Sequence, residues 1–574
     1  MPRHLSRRTF VKGLAATGAL GGLGLWRAPA WASPSLDSLT GTHVELAIDE
    51  LPVNITGTPR TAMAINGGLP GPLLRFKEGD TVTLRVRNRL TAPTSIHWHG
   101  IILPPNMDGV PGLSFAGIEP GGSYVYRFTL KQNGTYWYHS HSGFQEQQGV
   151  YGPLVIEAKE PEPFQYDRDL VLMLTDWTDE DPAALMRTLK KQADYYNFHK
   201  RTVGDFIDDV AQDGWAATLA DRKMWAEMKM NPTDIADVNG ATYTYLLNGQ
   251  APARNWTGLF RPGEKLRLRF INGSAMSYFD IRIPGLKMTV VAADGLYVEP
   301  VEVEEFRIAV AETYDVIVEP VAEAYTVFAQ AMDRTGYARG TLAVREGLVA
   351  PVPPLDPRPL LTMADMGMAH GGHGGHGGHG MAAMASGHEG HGQAAGGGMQ
   401  VQTHPASETD NPLVDMQAMM TAPKLDDPGI GLRDNGRRVL TYADLRSRFA
   451  DPDGREPGRT IELHLTGHME KFAWSFDGIK FSDAEPLRLT YGERVRIVLV
   501  NDTMMTHPIH LHGLWSDLED EHGNFQVRKH TIDMPPGARR SYRVTADALG
   551  RWAYHCHLLY HMEMGMFREV RVEE

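Results

Sequence analysis

The chain has 574 residues, 42% of them apolar and 22% charged, and 56 basic against 70 acidic side chains give a formal charge of −14. That length and apolar content support several hydrophobic cores and exclude global disorder, while an acidic balance without a long Lys/Arg run argues against nucleic acid as a partner. The single cysteine, Cys556, excludes an internal disulfide, a zinc ribbon and an iron–sulfur cluster, which need several thiolates.

In chain order, residues 1–32 read as an export signal. A basic start with Arg7-Arg8 precedes an apolar stretch from Leu14 to Trp26 and a small-x-small site at Ala30-Trp31-Ala32. The apolar run is short and Gly-rich for a bilayer span, so no stable membrane anchor is expected. The twin arginine followed by Phe10 resembles a Tat signal, which implies engagement of the Tat export machinery, delivery to the periplasm and removal near Ala32. Cleavage there would remove five basic residues and no acid, leaving a charge of −19.

Short runs with period-2 alternation then recur between Gly, Pro, Asn and Asp: Thr81–Arg87, Leu266–Ile271 and Val495–Val500. They predict half-buried strands, and their number predicts an all-β architecture of sandwiches or barrels. Residues 38–160 form the first predicted domain, 161–346 the second, with a helical insertion over about 178–230, and 436–574 the third. Between them, 347–435 begins with Pro351-Val-Pro-Pro and turns rich in Gly, His and Met, a composition that predicts a linker without a core of its own.

The domains read as one unit repeated three times. Aligned on Asn88, Asn272 and Asn501, the first copy carries Thr94, His97 and His99, the middle one Tyr278, Ile281 and Ile283, and the third His507, His510 and His512. A second set matches His139-Ser-His141 to His555-Cys-His557, with Ala329 and Ala331 in the middle copy. In a strand, residues i and i+2 share a face, so each His-x-His pair sets two imidazoles side by side. Four pairs at matched positions predict one shared metal cluster, because eight imidazoles buried together without a metal would be an unfavourable polar assembly. Cys556 lies between His555 and His557 and points to the opposite face. With His507, His561 and Met566 it supplies two imidazoles, a thiolate and a thioether, the ligand set of a blue-copper electron-transfer site.

These residues resemble the multicopper oxidases. Their four motifs stand here as His97-Trp-His99-Gly, His139-Ser-His141, His507-Pro-Ile-His510-Leu-His512 and His555-Cys-His557 continuing through His561 to Met566. Within that family, the twin-arginine start, the run Met107-Asp-Gly-Val-Pro-Gly112 and the Met/His-rich linker look most like its periplasmic copper-resistance group. The resemblance implies three cupredoxin-like Greek-key sandwiches and four coppers per chain. Type 1 copper would lie at His507, Cys556, His561 and Met566, and type 2 at His97 and His510. The type 3 pair would take His99, His139, His141, His512, His555 and His557. It also implies a proton-donating carboxylate near the cluster, for which Asp108 is the candidate; where some relatives carry a second acid, this chain has Leu558, Leu559, Tyr560 and Met562.

The linker adds His370, His373, His376 and His379 on a Gly-Gly-His repeat, with His388, His391, Met363, Met366, Met368, Met381 and Met384 nearby. Thioethers suit Cu(I) and imidazoles Cu(II), so accessory copper binding is expected there, against the alternative of a flexible spacer. The leading functional reading is a monomeric periplasmic oxidase that couples one-electron oxidation of Cu(I) to four-electron reduction of O2, serving copper tolerance. A laccase-like oxidase of small phenols and a non-enzymatic copper-sequestering protein are the alternatives.

Overall fold

The computed structural model describes residues 36–368 and 399–574. The expected export signal, and His370, His373, His376, His379, Met381, Met384, His388 and His391, lie outside the described residues.

Each predicted domain is built from two sheets. In the third, a six-stranded sheet runs in the spatial order Ala473–Phe476, Arg459–His468, Arg494–Asn501, Arg539–Thr545, Ser516–Glu519, Phe525–Lys529. A five-stranded sheet carries Gly550–Cys556 beside His507–Leu511. The first domain has sheets of five and four strands, and the second of six and five. A parallel pairing recurs in all three: 43–48 with 83–88, 168–174 with 266–272, and 459–465 with 495–501. The three asparagines used to align the copies end the second strand of each pairing and perform one task. Their Nδ2 groups donate to two carbonyls apiece: Ala92 and Ile118 from Asn88, Ser277 and Ile308 from Asn272, Met505 and Met534 from Asn501. Each thereby ties its strand end to two other backbone segments.

Thr81–Asn88 alternates buried and exposed residues as its sequence predicts. Leu266–Asn272 does not, since all seven of its residues are buried. Its polar side meets carboxylates of its own domain instead of water: Arg267 pairs with Asp315 at 2.6 Å and Glu162 at 2.5 Å, and Arg269 pairs with Asp169 at 2.8 Å and donates to Thr135 of the first domain. Alternation marks a chemically two-sided strand, and matching charges from elsewhere in the same domain can bury the polar side.

The helical insertion consists of Pro182–Lys191, Val203–Asp213 and Trp215–Glu227. Asp181 caps the first through the Ala184 N–H, and Thr202 with Asp205 forms a capping box on the second. The expectation that 347–435 lacks a core needs correction. Leu361, Met363, Met366, Met416, Ala418, Leu425 and Leu432 are all buried. Met363 and Met366 are part of that buried core, and only Met368 of the trio keeps partial exposure.

Candidate metal centres

The strand His97–His99 pairs with Gly134–His139 so that His97 faces His139, and His507–Leu511 pairs with Gly550–Cys556 so that His510 faces His555. Strand alternation puts His97 and His99 on one face, while His141, His512 and His557 lie just past the ends of the strands that carry His139, His510 and His555, and the rings of the first and third domains meet. His97 lies 3.9 Å from His512 and His99 stacks on His510 at 3.9 Å, centroid to centroid. Ring nitrogens converge within 4.8 Å in three groups: His97, His99 and His510; His97, His141 and His512; His99, His139 and His557.

The outward nitrogens are held. His97 Nδ1 meets the Asp108 carbonyl at 2.8 Å, His510 Nδ1 the His530 carbonyl at 2.6 Å, and His555 Nδ1 the Cys556 carbonyl at 2.9 Å. His139 Nδ1 lies 2.6 Å from Glu146, and His512 Nδ1 lies 2.9 Å from Asp108 Oδ2. The inward atoms His97 Nε2, His99 Nδ1, His139 Nε2, His141 Nε2, His510 Nε2 and His557 Nε2 have no hydrogen-bond partner among the described residues, and His512 Nε2 faces His555 Nε2 at 3.0 Å. Buried nitrogens left unpaired while their opposite edges are anchored fit metal ligands oriented from behind. Burial, reinforced by neighbouring imidazoles, holds His99, His139, His141, His510, His512 and His557 well below the ordinary histidine range, and His555 down to about 4. They are neutral at pH 7, as coordination requires.

On the other face of the same strand, Cys556 Sγ lies 3.5 Å from His507 Nδ1 and 3.9 Å from His561 Nδ1, and those two nitrogens are 3.1 Å apart. Met566, fully buried, is brought alongside by its carbonyl, which accepts from the Cys556 N–H. His507 Nε2 is fixed by the Thr503 hydroxyl at 2.8 Å and His561 Nε2 by Asp237 at 2.7 Å. Both Nδ1 atoms therefore aim at the sulfur. Burial lifts the Cys556 thiol well above its usual range, so a cation beside the sulfur is what would favour the thiolate. The eleven His and Cys residues expected to hold the four oxidase coppers, and Asp108, thus fall into two connected centres, with Met566 joined to the second through its backbone.

Three residues escaped the sequence reading. Asp237 comes from the second domain, and its Oδ1 is buried without a partner among the described residues. His530 Nδ1 lies 3.2 Å from His99 Nε2. Glu146, whose carboxyl is raised by burial and by Asp176, lies only five residues past His141, within reach of the proximity argument that selected Asp108. Asp237 and His530 carry no local signal, because only the fold brings them to the metals.

Linked β-sandwiches, an imidazole cluster between the first and third and a thiol-centred site in the third define a copper-dependent oxidoreductase. Multicopper oxidase domains match residues 47–161, 168–347 and 454–574, and the chain belongs to that family. It is 78% identical to Copper resistance protein A of Pseudomonas syringae pv. tomato over 100% of both chains, and 72% identical to Copper resistance protein A of Escherichia coli over 99% of both. The laccase from Botrytis aclada shares the fold, with a TM-score of 0.63 at 21% identity, covering 95% of this chain and 89% of that one.

Proposed function

We propose that this chain is an exported oxidase that takes electrons one at a time from Cu(I) beside Cys556 and passes them to dioxygen at the imidazole cluster, in the service of copper resistance. His507, Cys556, His561 and Met566 would hold type 1 copper, His97 and His510 type 2, and His99, His139, His141, His512, His555 and His557 the type 3 pair. Bound copper supplies the one-electron redox chemistry and the site at which O2 is reduced. The backbone joins the Cys556 sulfur directly to both neighbouring imidazoles, a short covalent route between centres. Asp108, 2.9 Å from His512 and 3.3 Å from His97, is placed to hold and return a proton at the cluster.

The observation that carries the choice of substrate is a small cavity beside Asp237, the carboxylate bonded to His561 Nε2. Asp237, Asp333, Met276, Met332 and Met505 line it, and its volume of about 20 Å³ suits a water or an ion. Thioethers and carboxylates gathered where electrons enter favour a soft metal ion over an aromatic ring. The resemblance to Copper resistance protein A and the twin-arginine start support a periplasmic role in copper tolerance. Oxygen uptake by copper-loaded protein tests this reading: Cu(I) should be oxidised faster than dimethoxyphenol. A faster phenol reaction would make the chain a laccase, and silence with both would make it a copper store. Cys556→Ser should lose the intense visible absorption of thiolate-to-copper charge transfer, and a variant that stays blue would overturn the type 1 assignment.

A further inference from the structure

A second group of ligand-type side chains lies in the third domain and the segment that precedes it, and nothing above uses it. His404 and Glu408 come from the turn that follows residue 399. His464 stands on Arg459–His468, and Asp502 directly follows Arg494–Asn501. The side chains of Glu408 and Asp502 are 0% exposed and that of His464 is 3% exposed. Their ligand atoms, one from each residue, lie within 4.8 Å of one another.

The orientation is that of a site built around a centre. His404 Nδ1 is 3.2 Å from Glu408 Oε2 and 3.3 Å from Asp502 Oδ2; His464 Nδ1 is 3.4 Å and 2.6 Å from the same two oxygens. Each ring is fixed from behind by a group that can only accept: the Ala418 carbonyl, 3.0 Å from His404 Nε2, and Glu462, 3.3 Å from His464 Nε2. With acceptors at both nitrogens, each ring without a metal is favoured in its doubly protonated form, and the carboxylates raise His404 above the ordinary histidine range and His464 to about 10. Asp502 Oδ1 accepts the Ala418 N–H at 2.8 Å, which orients its other oxygen inward. Glu408 Oε1 is buried with no partner among the described residues, an unsatisfied acceptor inside the cluster. A divalent cation would take the place of the two Nδ1 protons that join these rings to the carboxylates, and His404, His464 and Asp502 are each already held by an outer partner.

We propose that His404, Glu408, His464 and Asp502 form a structural site for one divalent borderline cation, Zn²⁺ or Cu²⁺. Two imidazoles and two carboxylates suit these ions. The absence of sulfur disfavours Cu(I), and the imidazoles disfavour Ca²⁺ and Mg²⁺. The ion would fasten the segment after residue 399 to two core strands. It would also brace the loop that begins at Asp502, where the next residue, Thr503, fixes the outer nitrogen of His507.

The test dialyses full-length protein, its four oxidase coppers in place, against Zn²⁺ and separately against Cu²⁺ buffered by a chelator, and counts bound metal by elemental analysis. Glu408→Gln and His404→Asn should each bind one ion fewer per chain than wild type. The lost site should weaken by more than the roughly 10–100-fold that removal of an outer partner costs. The blue absorption should stay in place, which shows that the variants fold. Equal stoichiometry in wild type and both variants would reduce the cluster to a hydrogen-bonded ion-pair quartet. If neither variant folds, zinc-edge anomalous diffraction from wild-type crystals soaked in Zn²⁺ decides. A peak between the four side chains supports the site and its absence rejects it.

Discussion

The middle domain and its two neighbours share a scaffold and differ in what they put on it. Asn88, Asn272 and Asn501 tie the same strand end to two other backbone segments, yet the positions that carry His97 and His510 in the outer copies carry Ile281 in the middle one. The second pair does likewise, with Ala329 and Ala331 where the outer copies have imidazoles. The strand ladder is therefore indifferent to the ligand set, because a sheet position asks only for a side chain that fills its face. The middle domain still serves the metals from outside. Asp237 anchors His561, Asp294 accepts from the backbone N–H groups of His530 and Thr531, and the Ala275 carbonyl accepts from Leu559 N–H in the Cys556 loop. The middle copy carries no candidate ligand at the matched positions and holds residues next to them in place.

Replacing the matched residue in each copy breaks this comparison most sharply. His97→Ala and His510→Ala should deplete type 2 copper and bring oxygen reduction to background while the blue band stays reducible. Ile281→Ala should instead cost about 2–5 kcal/mol of stability, the usual loss for a buried aliphatic truncation, with activity per folded molecule retained. Chemical denaturation and oxygen-electrode traces separate the two outcomes. Steady-state turnover in either histidine variant would remove the cluster assignment.

A smaller effect isolates what the middle domain supplies. Asp237→Asn keeps the shape and removes the charge behind His561, so kcat/KM for the reductant should fall about 10–100-fold with the protein still blue. An unchanged rate would mean that the domain merely fills space beside the electron-entry site. Smaller again, Asn88→Ala and Asn272→Ala should each cost about 1–3 kcal/mol, by removing an amide that donates to two carbonyls and accepts from the buried N–H of Leu90 or Ser274. Markedly unequal losses on denaturant titration would show the repeat to be superficial. Least of all, deletion of residues 369–398, which spares the buried Met363 and Met366, should leave the unfolding temperature nearly unchanged. The apparent KM for Cu(I) should then rise more than kcat falls, as expected when uniform binding is lost.

The parts legible in the sequence were those carried by short periods. His-x-His shows at period 2, the asparagine register shows because three strand ends were cut to one length, and the helical insertion shows in its composition. Parts set by contacts distant in the sequence were hidden. Arg267 and Arg269 look like a solvent face until Asp315 and Glu162 meet them, and Asp237, 324 positions from His561, has no local mark. The linker misled for a different reason. A Gly/His-rich centre dominated its average composition, and the apolar residues at its two ends, from Leu361 to Met366 and from Met416 to Leu432, were diluted out of view.

The split of the imidazole cluster between the first and last domains sets a clock on its assembly. Roughly 400 residues separate His141 from His555, and at about 5–20 residues per second the ribosome takes about 20–80 s to cross them. Through that interval the first domain presents four converging imidazoles with no opposite half, an open chelator for any divalent ion in the compartment of synthesis. Correct metallation of this chain is thus a question of timing as well as of affinity: whatever enters the half-site early must leave before the C-terminal strand closes over it.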